Sequence, residues 1–394
     1  MLRIEHLKIE SINGIKELVL NFNPGLNIIT GPNGIGKTTI IKCLRESFSK
    51  RNIRGINVSV GSRVGMWEVV VDNNYSTDFK LFEIYADEMM EYYHPNRRTK
   101  YLNSNELIYF DVNNRSTVSN QGIQLRSLKE WFYKNYYYNS ISEEKYYNHD
   151  LIKKCFYHID PEVSFSRIVL KDDLKLRYKN SLNNKLNSQI EIMVNTPLGE
   201  IPLQSLSSGY LSSLMMLLGI IKNVENKKIE FIQDFNGVLL IDEIDLHLHP
   251  EWQRKLLRII KWLLPRAQII ATTHSPHIIQ EAGADEIIPL EQDEYIRNPY
   301  VRKNPINSEY GYLGWTIEEI LTDVMGLEST ISKKLRYHLE KFENYRDKDN
   351  VQGMKETYTI LQKMIHPNNP LLKILSIQSG EVSIWGEPKY DTTN

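Results

Sequence analysis

The stretch Gly31–Thr39 reads GPNGIGKTT and matches the pattern G-x-x-x-x-G-K-[ST] at every fixed position. The β-branched run Leu26–Thr30 before it predicts a buried strand, and Thr38–Phe48 after it has apolar residues at helical spacing. A strand, a glycine-rich loop and a helix N-terminus together present backbone N–H groups and partial positive charge to phosphate oxygens. This context favours a nucleoside triphosphate site over a chance glycine turn.

The residues of this loop have distinct predicted roles. Lys37 supplies a positive charge for the β- and γ-phosphates, and the Thr38 hydroxyl is a ligand for Mg²⁺. ATP and Mg²⁺ are therefore the predicted cofactors. The predicted nucleotide-binding residues of the loop are Asn33, Gly34, Ile35, Gly36, Lys37, Thr38 and Thr39.

Length and composition are those of an ordinary globular protein, with 394 residues, 41% hydrophobic and 25% charged. No apolar run approaches the length of a membrane span, and the N-terminus MLRIEHLKIE alternates like a strand, unlike a signal peptide. We therefore expect a cytoplasmic protein without a membrane partner. Two cysteines exclude a disulfide framework, and the net charge of −1 gives no global attraction to nucleic acid, which would need a local patch.

The first half of the chain reads as strands followed by a helical segment. Residues 1–30 predict an antiparallel unit that turns at Asn13-Gly14, and later alternating runs predict further strands at 67–71, 79–85 and 107–112. The segment 125–157 is helical in pattern and rich in tyrosine and lysine. Such a mixture could form a base-stacking platform, but the half-buried face of a helical lobe is the favoured interpretation.

A second informative stretch, Gln204–Leu214, reads QSLSSGYLSSL and precedes an apolar helix. By itself it predicts a helix start capped by Ser207 or Ser208.

Two apolar runs further on end in polar residues. Gly237–Glu243 reads GVLLIDE and predicts a strand with Asp242 at its C-terminal end, where α/β sheets bind ligands. Asp242 would hold Mg²⁺ through water, and Glu243 would polarise an attacking water. Gln268–Thr273 predicts another buried strand, which ends at His274. A histidine at a strand end beside phosphates can contact the γ-phosphate, but by itself His274 is more typical of an ordinary surface histidine.

In this order, GPNGIGKTT, LSSGY, LLIDEID and ATTHS resemble the Walker A, signature, Walker B and switch-histidine motifs of ABC-type ATPases. The variant resembles the RecF/SMC/OLD branch and, over the whole chain, the stand-alone ATPases of bacterial anti-phage systems of the PtuA type, known from Septu and retron systems. The resemblance implies an α/β head with a P-loop core sheet and an N-terminal antiparallel β lobe, a short helical insertion and a C-terminal helical region. It also implies Lys37, Glu243 and His274 as catalytic residues, and Ser207 and Gly209 as contacts to the γ-phosphate of a second head.

The sequence departs from the branch at three places. The first β turn has Asn13-Gly14 where the branch often has an arginine, the signature lacks its glutamine, and Asn114-Arg115 is the candidate for the glutamine-loop neighbourhood. The pair His247 and His249 invites a metal site, but no third and fourth ligand can be named, so a loop of the ATPase is favoured.

The predicted domains are the Walker A half of the head at 1–60, a β and helical insertion or lid at 61–195, the signature and Walker B half at 196–292, and a C-terminal helical partner-contact region at 293–394. We expect exposed aromatics at Tyr310, Tyr312 and Trp315 in the last region. The absence of long heptads in the insertion excludes a true SMC protein.

The resemblance implies an ATP-driven switch in anti-phage defence that regulates a separate effector, a nuclease or a toxin. The heads would form a homodimer or a higher homo-oligomer, and nucleic acid stays an open partner. The alternatives are a RecF-like repair ATPase that clamps DNA and a scaffold whose nucleotide is structural.

Overall fold

The computed structural model describes residues 2–48, 55–72, 77–85, 101–111, 118–138, 143–170, 190–303 and 309–380. These residues form two compact units, one within Met1–Gly326 and one within Leu327–Asn394. The candidate glutamine-loop residues Asn114-Arg115 lie outside the described residues. No helix in the described ranges is long and apolar enough to cross a membrane.

A six-stranded sheet forms the centre of the first unit, in the order β13-β12-β3-β11-β10-β6. All its strands pair in parallel except β13, which lies antiparallel to β12 at one edge. Short apolar runs form the inner strands because parallel strands are buried on both faces. The strands are β3 (Leu26–Thr30), β6 (Leu107–Phe110), β10 (Val238–Ile241), β11 (Gln268–Thr272), β12 (Ile287–Gln292) and β13 (Pro299–Val301).

A separate antiparallel sheet has the order β2-β1-β4-β5. Its strands are β1 (Arg3–Ile12), β2 (Ile15–Asn21), β4 (Val64–Asp72) and β5 (Thr77–Tyr85). This sheet confirms the predicted N-terminal β lobe and the hairpin turn at Asn13-Gly14, where both residues have positive φ angles. Strands β4 and β5 join the N-terminal strands, although they lie within the predicted insertion.

Helix α1 (Lys37–Glu46) packs its apolar face into the cluster that the two sheets share. Side chains alternate between the two faces of a strand, so Val238 and Leu240 of β10 join this cluster while Leu239 and Ile241 join the core on the other side. The P-loop helix therefore makes buried apolar contacts with residues of both sheets.

The opposite face of the central sheet carries the helices and a small antiparallel sheet. The helices of this face are α2 (Val118–Tyr133), α3 (Glu143–Ile159), α4 (Ser208–Asn226), α5 (Pro250–Leu263) and α6 (Pro276–Gln280). The small sheet, in the order β7-β8-β9, consists of β7 (Ser164–Leu170), β8 (Ile190–Thr196) and β9 (Gly199–Pro202).

The tyrosine-rich segment is helical, as predicted, and its tyrosines divide between two roles. Tyr133 and Tyr136 are buried in the core, whereas Tyr137, Tyr146 and Tyr147 are exposed. Tyr136 also donates a hydrogen bond to Glu225 of α4. The segment is therefore first a packed helical lobe, which agrees with the favoured interpretation.

The first unit extends beyond residue 293, where the predicted C-terminal region begins. Thr316 and Glu319, at the spacing typical of a capping box, form one at the start of a short helical turn that ends at Val324. The expectation of exposed aromatics is wrong for Tyr312, which is fully buried, while Tyr310 is exposed and Trp315 is half-buried. Tyr312 belongs to the main core of the first unit and packs edge-on against Trp315, with 5.3 Å between the ring centroids, and the short loop that carries it shows no periodic pattern that would indicate this burial.

In the part of the second unit that the structure describes, residues 327–380, there are three helices, α7 (Lys333–Asp347), α8 (Val351–Met364) and α9 (Pro370–Gln378). They enclose a core of their own, in which Phe342 and Leu361 are fully buried. These helices agree with the helical character expected for the C-terminal region. The functional boundaries at residues 60, 195 and 292 stay predictions.

Candidate functional site

The P-loop follows β3 and leads into α1. Gly31, Gly34 and Gly36 have φ angles of 147°, 77° and 104°, which side chains with a Cβ rarely adopt. A Cβ on residue 31 would lie 2.5 Å from the carbonyl oxygen of Leu290, so there is no room for a side chain at this position. The glycines predicted from the motif are thus required by the backbone itself.

Lys37 is buried at the first position of α1. Its Nζ donates hydrogen bonds to the carbonyl oxygens of Gly31, at 2.7 Å, and Pro32, at 2.9 Å. Burial lowers the pKa of Lys37 to about 8, although the carboxylates of Glu243, Asp242 and Asp245 act in the opposite direction.

Asp242 follows β10 and is almost fully buried. Its Oδ1 accepts hydrogen bonds from the hydroxyl of Thr38 at 3.3 Å and from the hydroxyl of Thr272 at 2.7 Å. The first contact joins the P-loop helix to the end of β10, so the two predicted Mg²⁺ ligands lie side by side. Glu243 comes next, with a left-handed backbone at φ 51°.

His274 lies just beyond the end of β11 and is half-buried. Its backbone N–H donates to Oδ1 of Asp245 at 3.2 Å, and the hydroxyl of Thr273 donates to the same oxygen at 2.5 Å. Burial and the positive charge of Lys37 lower the pKa of His274, while Asp245 and Asp242 oppose this change. The lowered pKa favours the neutral imidazole, which has one nitrogen that donates a hydrogen bond and one that accepts.

The donor set fits Mg²⁺. Thr38 and Asp242 supply a hydroxyl and a carboxylate, and Mg²⁺ is commonly held by one or two protein oxygens together with water and substrate phosphates. Within the described ranges, no three His, Cys, Asp or Glu side chains are grouped so that they could hold a metal ion.

The two histidines considered for a metal site have other surroundings. His249 is the N-cap of α5, and its Nδ1 accepts from the N–H of Glu251 at 3.4 Å. His247 is exposed and has a φ angle of 62°. Their loop therefore leads into α5.

The signature stretch starts α4. Ser207 stands at the N-cap position, but its side chain makes no capping hydrogen bond, which corrects the prediction of a hydroxyl cap at Ser207 or Ser208. Both serines are exposed. Gly209 is buried against the ring of Trp252, which leaves no room for a Cβ, and Tyr210 packs edge-on to the same ring.

Three residues of this region were not predicted from the sequence. Thr272 contacts Asp242, Trp252 supports Gly209, and the Asn13 side chain donates to the hydroxyl of Thr39 at 3.2 Å. The first β turn therefore contacts the P-loop helix through Asn13. Each of these contacts spans a long separation in sequence, so no local pattern indicates them.

The family described as "AAA domain, putative AbiEii toxin, Type IV TA system" matches residues 65–280. Septu protein PtuA of Bacillus thuringiensis is 36% identical over 413 aligned positions, which cover 96% of this chain and 98% of that protein. The chain belongs to the PtuA family. This confirms the resemblance to PtuA-type ATPases.

A second relative matches a shorter part of this PtuA-family chain, and a solved structure resembles its fold. "Retron Vc95 probable ATPase" of Vibrio cholerae is 32% identical over 24% of this chain and 19% of its own length. The SMC head domain of Pyrococcus furiosus, solved with an extended coiled coil and bound to the C-terminal domain of ScpA, aligns with a TM-score of 0.51 at 15% identity, over 77% of this chain and 96% of that one. This likeness agrees with the predicted ATPase-head fold.

Removing the charge of Lys37 should abolish nucleotide binding in the PtuA-family chain. We expect Lys37→Ala to lose measurable ATP affinity in titration calorimetry, because the loop loses the cation for the β/γ-phosphates. Glu243→Gln, which leaves the P-loop intact, should retain ATP, and Lys16→Ala should match the wild type because Lys16 is exposed on β2. Unchanged ATP affinity in Lys37→Ala would refute the assignment.

The low pKa of Lys37 predicts that nucleotide binding takes up a proton in alkaline solution. With a pKa of about 8, the lysine is charged at pH 7 and mostly neutral at pH 9 without nucleotide. Phosphate contact favours the charged form, so ATP affinity should fall about tenfold between pH 7.5 and pH 9. Calorimetry at pH 9 in two buffers of different ionisation enthalpy measures the uptake, and a pH-independent affinity without uptake would contradict it.

Proposed function

We propose that this PtuA-family protein binds and hydrolyses ATP with Mg²⁺, and that its nucleotide state regulates a separate effector, a nuclease or a toxin, in anti-phage defence. The observation that carries the proposal is the meeting of Lys37, Asp242, Glu243 and His274 at one edge of the parallel sheet. The near full-length similarity to a Septu protein supports the biological setting.

Each residue has a separate task in the proposed reaction. Lys37 would exchange the carbonyl oxygens of the loop for phosphate oxygens, and Thr38 with Asp242 would hold Mg²⁺, whose charge favours phosphoryl transfer when it is bound. Glu243 would orient the attacking water through its carboxylate. His274 would donate a hydrogen bond beside the γ-phosphate.

We further propose that two heads share each site. One chain carries one P-loop and one signature stretch, and the start of α4 presents the exposed Ser207. Trp252 fills the space beneath Gly209, so the beginning of this helix is held firmly. These features support contact with the γ-phosphate on a partner head, in a homodimer or a higher homo-oligomer.

A complementation experiment tests the shared site. Ser207→Arg should retain ATP binding but lose hydrolysis, since the bulky cation blocks the contact between heads, and Lys37→Ala should lose both. In an equal mixture, random exchange gives half mixed dimers with one intact site each, so about a quarter of wild-type turnover should return.

Steady-state hydrolysis and ATP binding are measured on each variant and on the mixture. A mixture as inactive as its parents, at concentrations where dimers form with ATP, would contradict independent shared sites. DNA-stimulated hydrolysis, in contrast, would favour the RecF-like alternative.

We also propose that the second unit contributes the contact to the effector. It has a separate core and exposes apolar side chains, among them Tyr337, Ile374 and Ile377. Removal of residues 327–394 should therefore leave a folded protein that binds ATP.

Two truncations separate this docking role from a structural one. The chain ending at Gly326 should bind ATP with wild-type affinity but fail to co-purify with the protein encoded beside it. The chain ending before Tyr310 should unfold, because it also loses Tyr312, Ile320 and Val324 from the core of the first unit. Retention of the effector by the chain ending at Gly326 would refute the docking role.

A further inference from the structure

Thr272 connects three consecutive residues at the end of β10. Its hydroxyl donates to Oδ1 of Asp242 at 2.7 Å and accepts from the N–H of Glu243 at 2.7 Å. Its carbonyl oxygen accepts from the N–H of Ile244 at 2.9 Å. Thr272 is fully buried, so these contacts are made away from competing water.

The direction of the hydroxyl is fixed by these contacts. A hydroxyl has a single proton, and here that proton is directed to the Asp242 carboxylate, which leaves a lone pair for the N–H of Glu243. Threonine is β-branched and therefore restricted at χ1, so the hydroxyl has little freedom to turn away. The hydroxyl oxygen of Thr272 thus sets the position of the Asp242 carboxylate relative to the backbone N–H of Glu243.

Glu243 needs such support because of its backbone. Its φ angle of 51° lies in the left-handed region, which is unfavourable for residues other than glycine. Strained conformations persist only where the surroundings determine them, and hydrogen bonds from Glu243 N and Ile244 N to Thr272 hold the chain on both sides of the Glu243 α-carbon.

We propose that Thr272 is a positioning residue of the ATPase site, whose hydroxyl holds the carboxylate of Asp242 and the backbone of Glu243 as one unit. The proposal rests on the proposed ATPase function. Thr272 touches neither nucleotide nor metal in this assignment. It acts through the two residues that do.

The experiment compares variants of the full chain that differ in the hydroxyl. Thr272→Val removes the hydroxyl and retains the shape. We expect the kcat for ATP to fall about 100-fold, as for a misplaced catalytic group. The Mg²⁺-dependent gain in ATP affinity should fall about tenfold, as for loss of a hydrogen bond to a metal ligand. ATP affinity measured without Mg²⁺ should be unchanged, because the P-loop is intact.

A matched control is available in the neighbouring strand. Thr30 is fully buried at the end of β3, and among the described residues its hydroxyl has no hydrogen-bond partner. Thr30→Val should therefore keep wild-type turnover and Mg²⁺ dependence. Thr272→Ser should recover most of both properties, because serine retains the hydroxyl.

Two outcomes would overturn the proposal. One is wild-type turnover and Mg²⁺ dependence in Thr272→Val, and the other is a Thr272→Ser variant as impaired as Thr272→Val, which would assign the effect to the methyl group. If Thr272→Val does not fold, Thr272→Ser against Thr272→Ala makes the same comparison. A wild-type chain that binds ATP without hydrolysing it would refute the proposed function, while the Mg²⁺-dependent affinity would still test Thr272.

Discussion

The parallel pairing of β11 with β3 on one side and with β10 on the other is the constraint on which the site depends. The register places Thr272 beside Ile29 and Ala271 beside Ile241, so all three strands end at the same edge. The P-loop, the two carboxylates and His274 therefore follow strands that stop together. Open α/β sheets bind ligands at this edge because the chain there leaves the sheet in loops that can converge.

The other end of β11 fixes the antiparallel sheet. Gln268 is fully buried, and its side-chain amide pairs with both backbone groups of Ile4, at 2.8 and 2.7 Å, and with the carbonyl oxygen of Asn23, at 2.8 Å. Leaving such buried groups without partners costs about 1–3 kcal/mol each. Strand β11 has five residues. Its first residue, Gln268, binds the β lobe, and its last residue, Thr272, binds Asp242 at the end of β10. Helix α1 packs in the apolar cluster that the two sheets share.

What the sequence could predict follows from the range of the interactions. The P-loop, β10 and β11 are marked by local apolar runs and by glycines, so their existence and nearly their bounds were predictable, and so were the hairpin at Asn13-Gly14 and the capping box at Thr316. Gln268, Thr272 and the burial of Tyr312 depend on which distant segments become neighbours. A glutamine or a threonine at the end of an apolar run carries no signal of that neighbourhood in a single sequence.

The charge balance of the site explains why it is suited to a phosphate ligand. Three nearby carboxylates favour the charged form of Lys37. The effect of burial is larger, and it lowers the pKa of Lys37 to about 8. The lysine is therefore not fully compensated by the protein, and its Nζ is held by the neutral carbonyl oxygens of Gly31 and Pro32. Phosphate oxygens carry more charge than carbonyl oxygens and make stronger hydrogen bonds to an ammonium group. In the proposed function a nucleotide would therefore replace the loop carbonyls as the partner of Lys37, and the interaction lost by the loop would be smaller than the interaction gained.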